Sequence, residues 1–116
     1  MTELQCEVRE LIAKYGGSNN DGDITVATLG LCGEAGEVAN DVKKFLYGKF
    51  SFQELRERSR KELKDCLWFL VAIANALDLD MDELLAETPE HIEEKLIAAQ
   101  SWIKKAGNDV EVPRYQ

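Results

Sequence analysis

The sequence predicts an all-α protein, a bundle of four to five helices that associates with copies of itself. Three observations carry that expectation. Apolar residues recur at helical spacing through nearly the whole chain, and no stretch alternates in the manner of a strand. Helix-start pairs (Thr2 with Gln5, Ser51 with Glu54, Asp80 with Glu83) and glycine stops punctuate the periodic stretches. The run from Cys66 to Ala74 is apolar nearly all round. A small domain does not readily bury such a helix alone, so a second apolar contact, with another subunit, is expected.

Taken in order, Thr2 and Gln5 form a capping-box pattern that opens a first helix, with Leu4, Val8, Leu11, Ile12 and Tyr15 on one stripe and Gly16-Gly17 as its stop. The stretch from Gly16 to Asp23 is polar and rich in breakers, and reads as a mobile loop. A second helix is expected from near Thr25 to Tyr47, stopped by Gly48. Its apolar face is Leu31, Ala35, Val38, Ala39, Val42, Phe45 and Leu46, with Glu34, Glu37 and Asp41 along the flank. Gly30, Gly33 and Gly36 each cost about 1 kcal/mol relative to alanine inside a helix, so something must approach closely, and close helix packing is the commoner cause.

Ser51 with Glu54 opens a long third helix toward Leu77, its apolar face drawn through Leu63, Cys66, Leu67, Leu70, Ile73, Ala74 and Leu77. Trp68, Val71 and Ala72 fall outside that face. Asp80 with Glu83 opens a short helix through Glu87, and Thr88-Pro89 reads as a fresh start, with proline at the first helical position, of a segment lasting until Gly107. Residues 1–107 are thus expected to form one domain, and 108–116 a C-terminal tail.

The net charge of −8 argues against binding a nucleic-acid polymer, which needs a basic footprint. It leaves a nucleotide substrate open, because metal ions can supply positive charge locally. The N-terminus has neither a basic segment nor an apolar one, and the longest apolar run is too short to span a bilayer. A cytoplasmic protein without a membrane partner is expected. Cys6, Cys32 and Cys66 lack any CxxC pairing and read as reduced, partly buried thiols; with His91 the only histidine, a structural zinc site is disfavoured.

The chemistry lies in two short acidic pairs, Glu34-Ala-Gly-Glu37 and Glu62-Leu-Lys-Asp65. A spacing of three puts both carboxylates of a pair on one side of a helix. A solvated acidic face explains any single pair. Two pairs, each beside an apolar stripe, fit a hard divalent cation, which takes oxygen ligands and keeps several waters. A di-iron bundle would need Glu-x-x-His motifs, and Thr88 stands three residues before His91. No EF-hand loop is present; Asn19-Asn20-Asp21-Gly22-Asp23 is a faint echo of one.

The segment Leu29-Gly-Leu-Cys-Gly-Glu-Ala-Gly-Glu-Val-Ala-Asn-Asp-Val-Lys-Lys44, followed by Lys61-Glu-Leu-Lys-Asp-Cys-Leu-Trp-Phe-Leu70, resembles the MazG-like all-α nucleoside triphosphate pyrophosphohydrolases. Their signature is an ExxE pair on one helix and an ExxD pair on the next, and the resemblance covers roughly residues 24 to 97. It implies a Mg²⁺-dependent enzyme, with Mn²⁺ as an alternative ion, that cleaves (d)NTPs to the monophosphate and pyrophosphate in nucleotide-pool control or housecleaning. Glu34, Glu37, Glu62 and Asp65 would be the metal ligands, and Glu34 or Glu37 would orient the attacking water. Lys43, Lys44 and Lys95 would be candidates for phosphate contacts. The resemblance also implies a homodimer or homotetramer. The chain departs from the family where an Asn-x-x-Lys element is common: here the stretch reads His91-Ile-Glu-Glu-Lys95. Phosphoribosyl-ATP pyrophosphohydrolase is the rival within the superfamily, and a non-catalytic helical interaction protein is the rival outside it.

Overall fold

The capping signals and glycine stops of the sequence become helix ends in the structure. This computed structural model describes residues 1–17 and 21–105, and of 21–23 the backbone only. Among the described residues there are four α-helices and no strand: α1 (Glu3–Lys14), α2 (Asp21–Leu46), α3 (Phe52–Ala76) and α4 (Met81–Lys105). The all-α expectation holds. The chain divides into two compact units, Met1–Asp82 and Glu83–Gln116. The expected tail, 108–116, lies outside the described residues, as do 18–20 of the expected loop; α2 already begins at Asp21, ahead of Thr25.

In the first unit α1 opens with the full capping box: the Gln5 amide donates to Thr2 Oγ1 and the Thr2 amide to Gln5 Oε1, both at 3.1 Å. At α3 only half of the box forms. The Glu54 amide donates to Ser51 Oγ at 3.1 Å, but the Glu54 carboxylate accepts from Arg58 instead. Three helices end the same way. Gly16, Gly48 and Asp78 all take positive φ, and the amides of Gly17, Lys49 and Leu79 reach back to the carbonyls of Ile12, Lys44 and Ala74 at 2.8, 3.0 and 2.8 Å. This is the Schellman closure, in which a left-handed residue lets the next amide satisfy an otherwise open carbonyl. Asp78 does this without being glycine, and its φ of 55° is one that aspartate tolerates better than most residues.

α2 and α3 form an antiparallel hairpin. Near its turn Phe45 meets Phe52 edge-on with centroids 6.0 Å apart. Toward its open end the ring of Phe69 lies so close to Gly30 that a Cβ there would sit 2.5 Å from Cζ. Gly30 is therefore the helix-packing glycine expected from the sequence, whereas a Cβ at Gly33 or Gly36 would meet nothing within 4 Å.

The inward seam differs from the apolar stripes drawn from the sequence. On α2 the buried and half-buried positions include Ile24, Ala27, Leu31, Glu34, Val38, Asp41 and Phe45; on α3 they include Leu55, Ser59, Glu62, Cys66, Phe69, Ile73 and Ala76. Both series alternate steps of three and four, the a/d repeat of packed helices. Ala35, Ala39, Val42 and Leu46, expected on the inner face of α2, are exposed. On α3 the expected core residues Leu63, Leu67, Leu70 and Leu77 are exposed, and Val71, read as lying outside the face, is fully buried. The reason is lateral. α2 takes the Glu62–Phe69 side of α3 and α1 takes the Val71–Asn75 side, so the leucine stripe between them faces outward.

A polar clasp joins the ends of these elements. Gln5 is fully buried; its Nε2 donates to Asn75 Oδ1 (3.0 Å) and to the Leu79 carbonyl (2.8 Å), and its Oε1 accepts from the Met81 amide (2.8 Å). Asn75 Nδ2 returns a bond to the Gln5 carbonyl at 3.1 Å. One side chain of α1 thus holds the end of α3 and caps the start of α4.

The second unit contains the rest of α4. The expected break at Thr88-Pro89 does not occur: the helix is continuous, with Pro89 inside it. Proline's φ suits a helix, and its missing N–H deprives only the carbonyl of Leu85, an exposed residue that water can serve. Leu96, Ile97 and Trp102 are also exposed.

Replacing Gln5 by alanine is expected to destabilise the fold by about 2–4 kcal/mol, because the Asn75 amide group, the Leu79 carbonyl and the Met81 amide lose a buried partner together. Urea unfolding checks it, and the loss should not add to that of Asn75→Ala in the double variant.

Candidate functional site

The seam of the α2–α3 hairpin carries acids where apolar residues are the rule. Glu34 and Asp41 occupy seam positions of α2 on either side of Val38, and Glu62 faces them from α3. Glu37 stands one turn from Glu34 on α2 and is exposed. Burial first, then Asp41 by hydrogen bond and charge, then the charges of Glu37 and Glu34, push the Glu62 carboxyl above the usual glutamate range. Glu34 and Glu37 thus lie close enough to act on Glu62 through their charge. Glu34 and Glu62 lie in the seam itself and Glu37 at its lip, not on the flank of the packed faces as the apolar stripes predict.

Asp65, the fourth member, is exposed on α3 and is not among the groups acting on Glu62. Lys43 and Lys44 are exposed on the last turn of α2, and Lys95 is exposed on α4 in the second unit. Of the thiols, only Cys66 is half-buried; Cys6 and Cys32 are exposed, against the expectation that all three would be partly covered.

Two residues escaped selection. Asp41 is 3% exposed, and its carboxylate lies 3.9 Å from Arg58 Nη1. Arg58 also donates through Nε and Nη2 to Glu54 Oε1, at 3.3 and 3.0 Å, and rests over the Phe50 ring at 4.6 Å. The signal for Asp41 was present: it continues the row of Glu34 and Glu37 by one further turn.

Glu62 Oε2 is buried without a hydrogen-bond partner. A buried carboxylate oxygen facing three more carboxylates is the environment a cation relieves, and an all-oxygen donor set suits Mg²⁺ or Mn²⁺. The residues present fit such an ion. Among the described residues no three His, Cys, Asp or Glu side chains stand within common ligating reach, so the acids converge without closing. Further along the same groove a cavity of about 140 Å³ is lined by Ile12, Val26, Ala27, Trp68, Phe69 and Ala72.

The sequence matches the dUTPase family over residues 1–112. The chain belongs to the dUTPase family. This agrees with the kinship to nucleotide pyrophosphatases that the resemblance implied, although the match is to dUTPases and not to MazG proteins in particular. The chain is also similar to the Gene 37 protein of Mycobacterium phage L5, at 45% identity over 58 residues, which is 48% of this chain and 51% of the phage protein. It thus spans about half the length of that relative. No solved structure matches the chain. No helix of the described residues is long and apolar enough to cross a membrane.

The Glu62 shift has a consequence for stability. Its folded-state carboxyl holds a proton more tightly than the unfolded one, so its contribution falls as pH rises from below the ordinary glutamate value through the raised one. Glu62→Gln is expected to raise the melting temperature at pH 7 in chelator and to leave it nearly unchanged at pH 4. A thermal melt at both values decides it; a lower melting temperature for the variant at pH 7 would contradict the assigned environment.

Proposed function

We propose that this protein is a Mg²⁺-dependent pyrophosphohydrolase that converts dUTP and water to dUMP and pyrophosphate. The observation that carries this reading is the buried, unpartnered Glu62 oxygen facing Glu34, Glu37 and Asp41 in a polar seam. Membership of the dUTPase family supports the choice of substrate. The order of the GEAGE and LWFL segments supports kinship with MazG-like enzymes.

Glu34, Glu37, Glu62 and Asp65 would hold the ion. Asp65, exposed one turn beyond Glu62, would have to turn inward to join them. The bound ion supplies positive charge that offsets the triphosphate and the pyrophosphate leaving group. Glu37, exposed at the lip of the seam, is free to accept a hydrogen bond from a water and aim it at the α-phosphorus; Glu34 is the other candidate for that role. The water's oxygen bonds to the α-phosphorus as the bond to the bridging α–β oxygen breaks. Lys43 and Lys44, exposed at the end of α2, are candidates for phosphate contacts, and Lys95 is a separate candidate on α4 in the second unit. The cavity beside Trp68 and Phe69 offers an apolar surface to an uncharged ring.

Incubating the purified chain with dUTP, the other dNTPs and the NTPs in Mg²⁺ should release pyrophosphate fastest from dUTP. Glu34→Gln and Asp65→Asn should each lower kcat/KM by about 100-fold or more, the size expected when a group that stabilises the transition state is lost. No release by the wild type, or unaltered release by both variants, sinks the proposal.

The chain also self-associates in this reading, with a second copy covering the α3 stripe. The support is the exposed leucine row Leu63, Leu67 and Leu70 beside a thin core, in which the fully covered apolar side chains are few and several are small. Light scattering should give at least twice the chain mass of 13.1 kDa. Leu67→Lys should reduce it; a wild-type monomer at micromolar concentration would end the idea.

A further inference from the structure

Arg58 is a cation at the closed end of an acidic seam, and its contacts form a line that leads toward the proposed metal ligands. Glu54 holds the guanidinium through two hydrogen bonds at 3.3 and 3.0 Å, and the Phe50 ring backs it at 4.6 Å. On its far side lies Asp41, 3.9 Å away and 3% exposed. Asp41 in turn stands against Glu62, whose Oε2 is buried and unpartnered. Arg58 and Glu62 are one turn apart on α3, while Asp41, Glu37 and Glu34 follow each other by single turns on α2. The order along the groove is thus Arg58 and Asp41 at one end, Glu62 next, then Glu37 and Glu34.

A buried aspartate is costly unless a cation or hydrogen bonds compensate it. Arg58 is that cation, and its side chain is 45% exposed, so the pair is anchored at the rim and reaches inward. Asp41 acts on Glu62 by hydrogen bond as well as by charge, so it holds one side of that carboxyl and leaves the other side to Glu34 and Glu37. Groups that orient a ligand in this way typically change metal affinity by about 10–100-fold when removed.

We propose that Asp41, held by Arg58, is a positioning residue that orients the Glu62 carboxylate toward Glu34 and Glu37 and so raises the affinity of the seam for a divalent cation. This rests on the metal-dependent reading above. Neither residue touches substrate in this scheme; both act through Glu62.

The test is a titration of the full chain with Mn²⁺ alone, following free Mn²⁺ by electron paramagnetic resonance, with circular dichroism on each variant. Asp41→Asn, nearly isosteric, should weaken Mn²⁺ binding about 10-fold or more. Arg58→Ala should weaken it in the same direction, Arg58→Lys should recover part of the loss, and Asp41→Asn with Arg58→Ala should be no worse than Asp41→Asn alone. Pyrophosphate release by Asp41→Asn should return toward wild type as the metal concentration is raised. A merely structural role would lower the melting temperature and leave the Mn²⁺ affinity of the folded variants as it was. If Asp41→Asn does not fold, Arg58→Ala, on a half-exposed side chain, carries the decision.

Wild-type binding that Glu62→Gln removes, with both Asp41→Asn and Arg58→Ala within twofold of wild type, overturns this inference and leaves the metal-dependent reading standing. Wild-type chain that binds no Mn²⁺ overturns both.

Discussion

Like charges inside a helix–helix seam are the constraint on which the first unit turns. Glu34, Asp41 and Glu62 occupy positions that a packed hairpin ordinarily gives to apolar residues, and Glu62 pays for it with a carboxyl held above its usual range. A hairpin carrying such repulsion needs cohesion elsewhere. It has the Phe45–Phe52 contact at the turn and the Phe69 ring seated on Gly30 toward the open end. The acids lie between these two apolar rungs. The rungs hold the helices together across a segment that, metal-free, would push them apart.

The Gln5 clasp has a related task at a distance. The fully covered apolar side chains of the first unit are modest, Val8, Ala27, Leu55, Val71, Ala74 and Met81 among them. A core of that kind leaves α1 weakly specified by hydrophobic contact alone, because burial is non-directional. Gln5 supplies direction: its side chain bonds Asn75, the Leu79 carbonyl and the Met81 amide, so α1 has one register against α3. Buried polar networks in which each member is satisfied serve specificity in this way. The two polar centres of the unit are therefore opposite in kind. The clasp is internally satisfied and structural, whereas the acid seam has a buried oxygen with no partner.

The sequence was legible where local chemistry decides and less so where neighbours decide. Both ends of α1, the end of α2 and the start of α3 followed from Thr2, Gly16, Gly48 and Ser51, because caps and left-handed closures are settled within a few residues. The proline signal does not end α4, which carries Pro89 inside it despite the hydrogen bond lost to the Leu85 carbonyl. The faces of α2 and α3 were misphased for a physical reason. Stripes drawn through apolar residues pass beside Glu34, Asp41 and Glu62, while the packed seam passes through them. The two acidic pairs were found because their spacing is local. Asp41 and Arg58 were not selected, because their part depends on which residues of another helix stand opposite.

That misphasing itself bears on function. Had the apolar stripes been the packed faces, the acids would have lain at the rim, hydrated and able to move apart, and nothing in the fold would have required a counter-ion. In the seam they cannot separate without opening the hairpin that Phe45, Phe52, Gly30 and Phe69 hold shut. Arg58 neutralises Asp41 at the closed end, which leaves Glu62, Glu37 and Glu34 as the uncompensated part. Repulsion between fixed charges is relieved by binding a charge of opposite sign, and the relief is larger where water is partly excluded. In the metal-dependent reading proposed above, the energy held in this repulsion would be recovered on binding a divalent cation. The same outward rotation leaves Leu63, Leu67 and Leu70 uncovered. One choice of helix phase thus accounts for both unsatisfied features of the unit, an anionic groove and an apolar stripe.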